Sequence, residues 1–133
     1  MGNLISTSVM AVIMLSNVQD RKTVQEDAVL KFIRAFFSED EKTLLAISTG
    51  RAASDLKTYF WIKRKIQGDS TGVPRKWEGK IVIFGSDREK VLAADIFEAD
   101  GSADIFKVAV DGKLFRCGLD ETNKIILFNE PSK

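Results

Sequence analysis

The stretch Phe106-Lys107-Val108-Ala109-Val110-Asp111-Gly112-Lys113-Leu114-Phe115-Arg116-Cys117 decides the fold. Apolar residues recur at every second position on both sides of Asp111-Gly112, the pattern of two strands with one buried face. Asp-Gly is a strong hairpin signal, because a type I′ turn needs positive φ at both central positions. With that loop, Val108 faces Phe115 and Phe106 faces Cys117, while Lys107 lies opposite Arg116 on the other face.

Working outward, further period-two runs lie at Ile81–Phe84, Val91–Ala99 and Lys124–Phe128, flanking Ala103–Val110 and Lys113–Leu119. Asp100-Gly101 reads as a second hairpin loop, pairing Phe97 with Asp104, Asp95 with Phe106, Ala93 with Val108 and Val91 with Val110. A four-residue turn over Asp120–Asn123 sets Cys117 beside Ile126 and Phe115 beside Phe128. One face then collects Val91, Ala93, Phe97, Phe106, Val108, Val110, Phe115, Cys117, Ile126 and Phe128. The other face, with Lys107, Arg116 and Glu98, is expected to be solvated.

Upstream the period is helical. Thr23-Val24-Gln25-Glu26 reads as a capping box, followed by Val29, Phe32, Ile33, Phe36 and Phe37 on one helix face. Ser38-Glu39-Asp40-Glu41 reads as a second box leading into Leu44, Leu45 and Ile47, with Gly50 as a stop. Ala52, Leu56, Tyr59 or Phe60, Ile62 and Ile66 mark a third helix, broken at Gln67-Gly68-Asp69-Ser70 and by the Gly72-Val73-Pro74 loop. No linker or repeat divides the pattern. The fold class is therefore α+β, with N-terminal helices packed on a four- to five-stranded antiparallel meander, in a single domain over residues 21–133.

Residues 1–20 stand apart. Leu4–Leu15 is apolar except for Ser6, Thr7 and Ser8, and is shorter than the roughly 20 residues that span a bilayer. It fits a trimmed export signal or a docked helix; behind these, Met1-Gly2-Asn3-Leu4-Ile5-Ser6 fits the pattern for Gly2 myristoylation. The sequence leaves the localisation open: cytoplasmic, or exported if residues 1–16 act as a signal.

The chain has 133 residues, a net charge of +1, one cysteine and no histidine. That excludes Ser-His and Cys-His dyads and His-ligated zinc, and no cofactor or metal is expected. Cys117 reads as a small buried hydrophobe, the alternative being a thiol lining a pocket. Asp95 and Asp104 are the exceptions on the apolar face. A carboxylate there must be hydrogen-bonded, raised in pKa or open to a wet cavity. The plainer alternatives put Asp104 at the wet end of the sheet and Asp95 at a bulge, or bonded to a tyrosine or a backbone amide.

The aromatic-rich helix Val29-Leu30-Lys31-Phe32-Ile33-Arg34-Ala35-Phe36-Phe37, two further helices and then a meander, over roughly residues 23–128, resemble the nuclear transport factor two-like (cystatin-like) superfamily in element order. The resemblance implies a curved sheet forming a cone that holds a small apolar ligand or a partner peptide, and exposed sheet faces that form homodimers. It gives a binding module with a pocket lined by Phe32, Phe36, Tyr59, Phe97, Phe106 and Cys117. The alternative it implies is a cofactor-independent, isomerase-like enzyme with Asp95 as the proton-transfer base and Tyr59 as a donor. The inward histidine of many related enzymes has no counterpart here, which favours binding.

Residues 51–80 carry a local charge of +5 and residues 81–133 a charge of −3. Lys63, Arg64, Lys65, Arg75 and Lys76, interleaved with Tyr59, Phe60, Trp61 and Trp77, form a basic patch suited to nucleic acid or an anionic membrane. The plainer reading is a solvated helix end, where cations also favour the helix dipole.

Overall fold

The computed structural model describes residues 21–68, 71–93 and 101–131. Residues 21–38 form helix α1, followed by α2 (Glu41–Ile47) and α3 (Gly50–Gln67). Strands β1 (Ile81–Val91), β2 (Gly101–Val110), β3 (Lys113–Leu119) and β4 (Ile125–Asn129) follow. They make one open antiparallel sheet in the order β1-β2-β3-β4, a meander with helices N-terminal to it.

The central hairpin forms as its sequence dictates. Asp111 and Gly112 have φ of 50° and 85°, and Phe106↔Cys117, Lys107↔Arg116 and Val108↔Phe115 are direct partners. The Asp111 carboxylate also accepts from the Lys80 backbone N–H at 2.8 Å, tying the hairpin loop to the start of β1.

The first hairpin differs from the expected one. β1 runs without a break through Gly85-Ser86-Asp87-Arg88, and Ile81, not Val91, partners Val110; Val91 partners Gly101. A bulge between Ile83 and Gly85, with Gly85 at φ 148°, absorbs the extra residue, a conformation that glycine supplies. Polar residues hold their places in the ladder by cross-strand pairing. Arg88 meets Asp104 at 3.4 Å and Glu89 meets Arg116 at 3.3 Å. Ala93 is helical rather than strand, and Asp95 and Phe97 lie outside the described residues, as does the N-terminal segment 1–20.

At the other edge the four-residue turn is present, with the Asp120 carboxylate accepting from the N–H groups of Thr122 and Lys124. A register shift between Gly118 and Leu119 then moves Cys117 opposite Phe128, in place of Ile126. Ile126 joins Val91, Ala103, Ile105 and Leu127 in a buried cluster on the face away from the helices, so that face is only partly solvated. Gly118 permits this closure. A Cβ there would stand 2.7 Å from Cδ1 of Ile105.

The main core lies between helices and sheet. Val29, Phe32 and Ile33 of α1, Leu44 of α2, and Ala52, Leu56 and Phe60 of α3 pack on Phe106, Val108, Val110, Phe115, Cys117, Leu119 and Ile125. α1 is already helical at residue 21, upstream of the Thr23 box, and its first turns are fastened by a tertiary contact: buried Gln25 donates to Asp104 at 2.7 Å. Where α1 ends, Asp40 N–H reaches Ala35 C=O and Glu39 N–H reaches Phe36 C=O, a Schellman closure with Glu39 at φ 58°. That closure makes Ser38 the end of α1, and Asp40 caps α2 by accepting from Thr43 N–H at 3.2 Å. Gly50 opens α3 rather than stopping α2, because Ser48 and Thr49 are extended beside Ile125. α3 ends at Gln67 as its sequence implies, with Gly68 at φ 73°.

Candidate functional site

α1, α3 and the β3–β4 edge leave a space that side chains do not fill. It is a pocket of about 330 Å³ walled by Phe32 and Phe36 of α1, Ala52, Leu56 and Tyr59 of α3, Phe115 of β3 and Phe128 of β4. Asp55, Asn129 and Glu130 stand at its margin.

Packed rings make the wall. Phe115 and Phe128 stack at 5.1 Å, Phe128 meets Phe32 edge-on at 5.0 Å, and Phe36 lies 5.1 Å from Phe128 and 6.3 Å from Tyr59. These spacings fall in the favourable aromatic range, and every ring of the wall packs on at least one other. Helical spacing explains the α1 and α3 contributions: Phe32 and Phe36, and Ala52, Leu56 and Tyr59, recur every three or four residues.

Three of the residues expected to line a pocket, Phe32, Phe36 and Tyr59, come together here. Phe106 and Cys117 do not. Both are fully buried in the core beneath α1, since the middle of the sheet is covered and the opening lies at the β4 edge. Burial pushes the Cys117 thiol far above its ordinary range, which leaves it an inert hydrophobe. Phe115 and Phe128 belong to the pocket although sequence reasoning placed them only on the sheet face. The signal was present in the chain: Phe128 immediately precedes Asn129-Glu130, where the apolar strand runs out.

A second recess, of about 300 Å³, adjoins the first and shares Asp55, Phe128 and Asn129 with it. Its other walls are Arg51, Lys90, Val91, Arg116 and Leu127. Arg51 pairs with Asp55 at 3.2 Å, and Lys90 has no ion-pair partner among the described residues.

The basic patch is arranged differently. Lys63 and Arg75 both reach Glu39, Arg64 reaches Glu41, and Lys76 pairs with Glu78 at 3.2 Å. Lys65 lies over the Trp61 ring, 4.5 Å from its centroid. Tyr59 donates its hydroxyl to Glu39 at 3.3 Å, joining this cluster to the aromatic wall. The Lys63 hydrogen bond chiefly holds the Glu39 carboxyl below its usual range, with the charges of Lys63 and Arg75 adding to it against desolvation. Reciprocally, Glu39 and then Tyr59 raise Lys63. Asp104 is half-buried where the sheet meets α1, held by Gln25 and Arg88.

Among the described residues, no cluster of acids or cysteine could hold a metal ion, and no helix is long and apolar enough to cross a membrane. No protein-family model, curated protein or solved structure matches the chain.

Proposed function

We propose that the protein is a non-enzymatic module that binds a small apolar ligand in the aromatic pocket between α1, α3 and the β3–β4 edge. The observation that carries this reading is the pocket itself: five rings lock one another in place around about 330 Å³ of unfilled space. That volume is roughly twice the ~150 Å³ in which an engineered apolar cavity takes up benzene, and lies within the size range of small-molecule sites. The order of three helices before an antiparallel meander supports a nuclear transport factor two-like arrangement, in which this space is the ligand's. The basic patch supports nucleic acid or membrane contact less well, because four of its five cations already face carboxylates.

The test is a titration with 1-octanol followed by protein NMR. Saturable shifts at the Leu56 methyls and the Phe36 and Tyr59 rings are expected. Shifts spread over the surface, or none, would remove the reading.

A further inference from the structure

Resting on that ligand-binding reading, we infer that the site takes an anionic amphiphile, with its apolar body in the aromatic pocket and its head group in the adjoining recess. The two spaces share Asp55, Phe128 and Asn129, so the recess lies directly beside the pocket, within reach of a head group on a chain held there. Their chemistry is opposite. The first is walled by rings and aliphatic groups, whereas the second gathers Arg51 from the first turn of α3, Lys90 from the end of β1 and Arg116 from β3.

Charge decides which head group fits. Among the described residues, three cations line the recess against one carboxylate, Asp55, which Arg51 already engages at 3.2 Å. Glu89 compensates Arg116 from outside the lining at 3.3 Å, and Lys90 has no ion-pair partner among the described residues. A carboxylate head would pair with Lys90 through charge-assisted hydrogen bonds, while an ammonium head would meet its like charge. The carboxylates beside the aromatic pocket do not reverse this. Glu130 is taken by Lys113 at 2.7 Å, as Asp55 is by Arg51.

The experiment compares octanoate, 1-octanol and octyltrimethylammonium on the full chain at pH 7 by calorimetry, so that the tail stays constant and the head changes sign. Octanoate is expected to bind roughly tenfold more tightly than octanol, with an advantage that shrinks as salt rises, and the ammonium compound more weakly than either. Lys90→Gln should remove most of the octanoate advantage and leave octanol unchanged. Asp55→Asn should tighten octanoate. Equal affinities for octanoate and octanol, or preference for the cation, would overturn the inference while leaving the apolar site standing. Binding of none of the three would remove the site and the inference together. Circular dichroism of each variant separates loss of fold from loss of the head-group contact.

Discussion

Helix α3 serves two neighbouring regions with similar ingredients and opposite states of satisfaction. Along one stripe, Ala52, Leu56 and Tyr59 face aromatic rings across an open space. Further on, Tyr59, Lys63 and Arg64 converge on Glu39 and Glu41, and each charge finds an opposite charge. Both regions mix aromatics with charge, and a reading of composition alone weighs them alike. The difference lies in what remains unmet. The Glu39 cluster closes on itself and fastens α1, α3 and the loop through Arg75, whose N–H also donates to Ser38 C=O at 2.9 Å. The pocket has apolar surface still to bury, and that is why the ligand is proposed there.

The comparison breaks most sharply at Phe32, which belongs to both core and pocket wall and touches Phe36 and Phe128. Phe32→Ala should cost about 3–5 kcal/mol in denaturant unfolding, as for other buried phenylalanines. A loss below about 1 kcal/mol would mean that the wall is not packed as described.

At Glu39 the effect should be smaller and twofold. The residue contributes ion pairs but occupies a left-handed conformation that costs a side chain about 1 kcal/mol. Glu39→Ala should therefore destabilise by about 1–2 kcal/mol, and Glu39→Gly by less, because glycine relieves the backbone while losing the same contacts. If glycine proves the worse substitution, the Schellman closure is not what holds the turn.

The same cluster sets a pH signature. Glu39, lowered by Lys63 and Arg75, contributes stability that is present above its usual value of 4.5 and is lost as pH falls through its lower folded value. Lys63, raised by Glu39 and Tyr59, contributes stability that is present below 10.5 and is lost as pH rises through its higher folded value. Glu39→Gln should flatten both limbs of the stability profile, and an unchanged profile would show that the pairing does not persist in solution.

The smallest effect tests the open region. Ala52→Leu directs added methyl groups into the pocket and should stabilise by about 1 kcal/mol. A comparable loss would mean that the space is already occupied by side chains.

How much of this was legible in the chain depended on whether local chemistry was decisive. The β2–β3 register followed from Asp111-Gly112, because only a few turn geometries accept two positive φ angles. β1 runs past Phe84, where the period-two pattern stops because Ser86-Asp87-Arg88 lacks apolar alternation. Those residues become strand only through partners such as Asp104, distant in sequence. The start of α2 shifted by two residues for a related reason, since a glutamate at the glycine-preferred position gave no sign of the Schellman closure. At the site, helical periodicity placed Phe32 and Phe36 on one face of α1 and left Tyr59 or Phe60 open on α3, and the family resemblance implied Phe32, Phe36 and Tyr59 as pocket residues. It could not reveal that the sheet is covered at Phe106 and Cys117 and open at Phe115 and Phe128, because that depends on where α3 crosses β4.

The central claim, that rigid rings hold an unfilled apolar space, is tested most directly by crystals of the protein under xenon. An ordered xenon atom among Phe36, Leu56, Tyr59 and Phe128, absent in Ala52→Leu crystals, is the expected result. Wild-type crystals with no xenon there, and with rings collapsed into the space, would contradict the account.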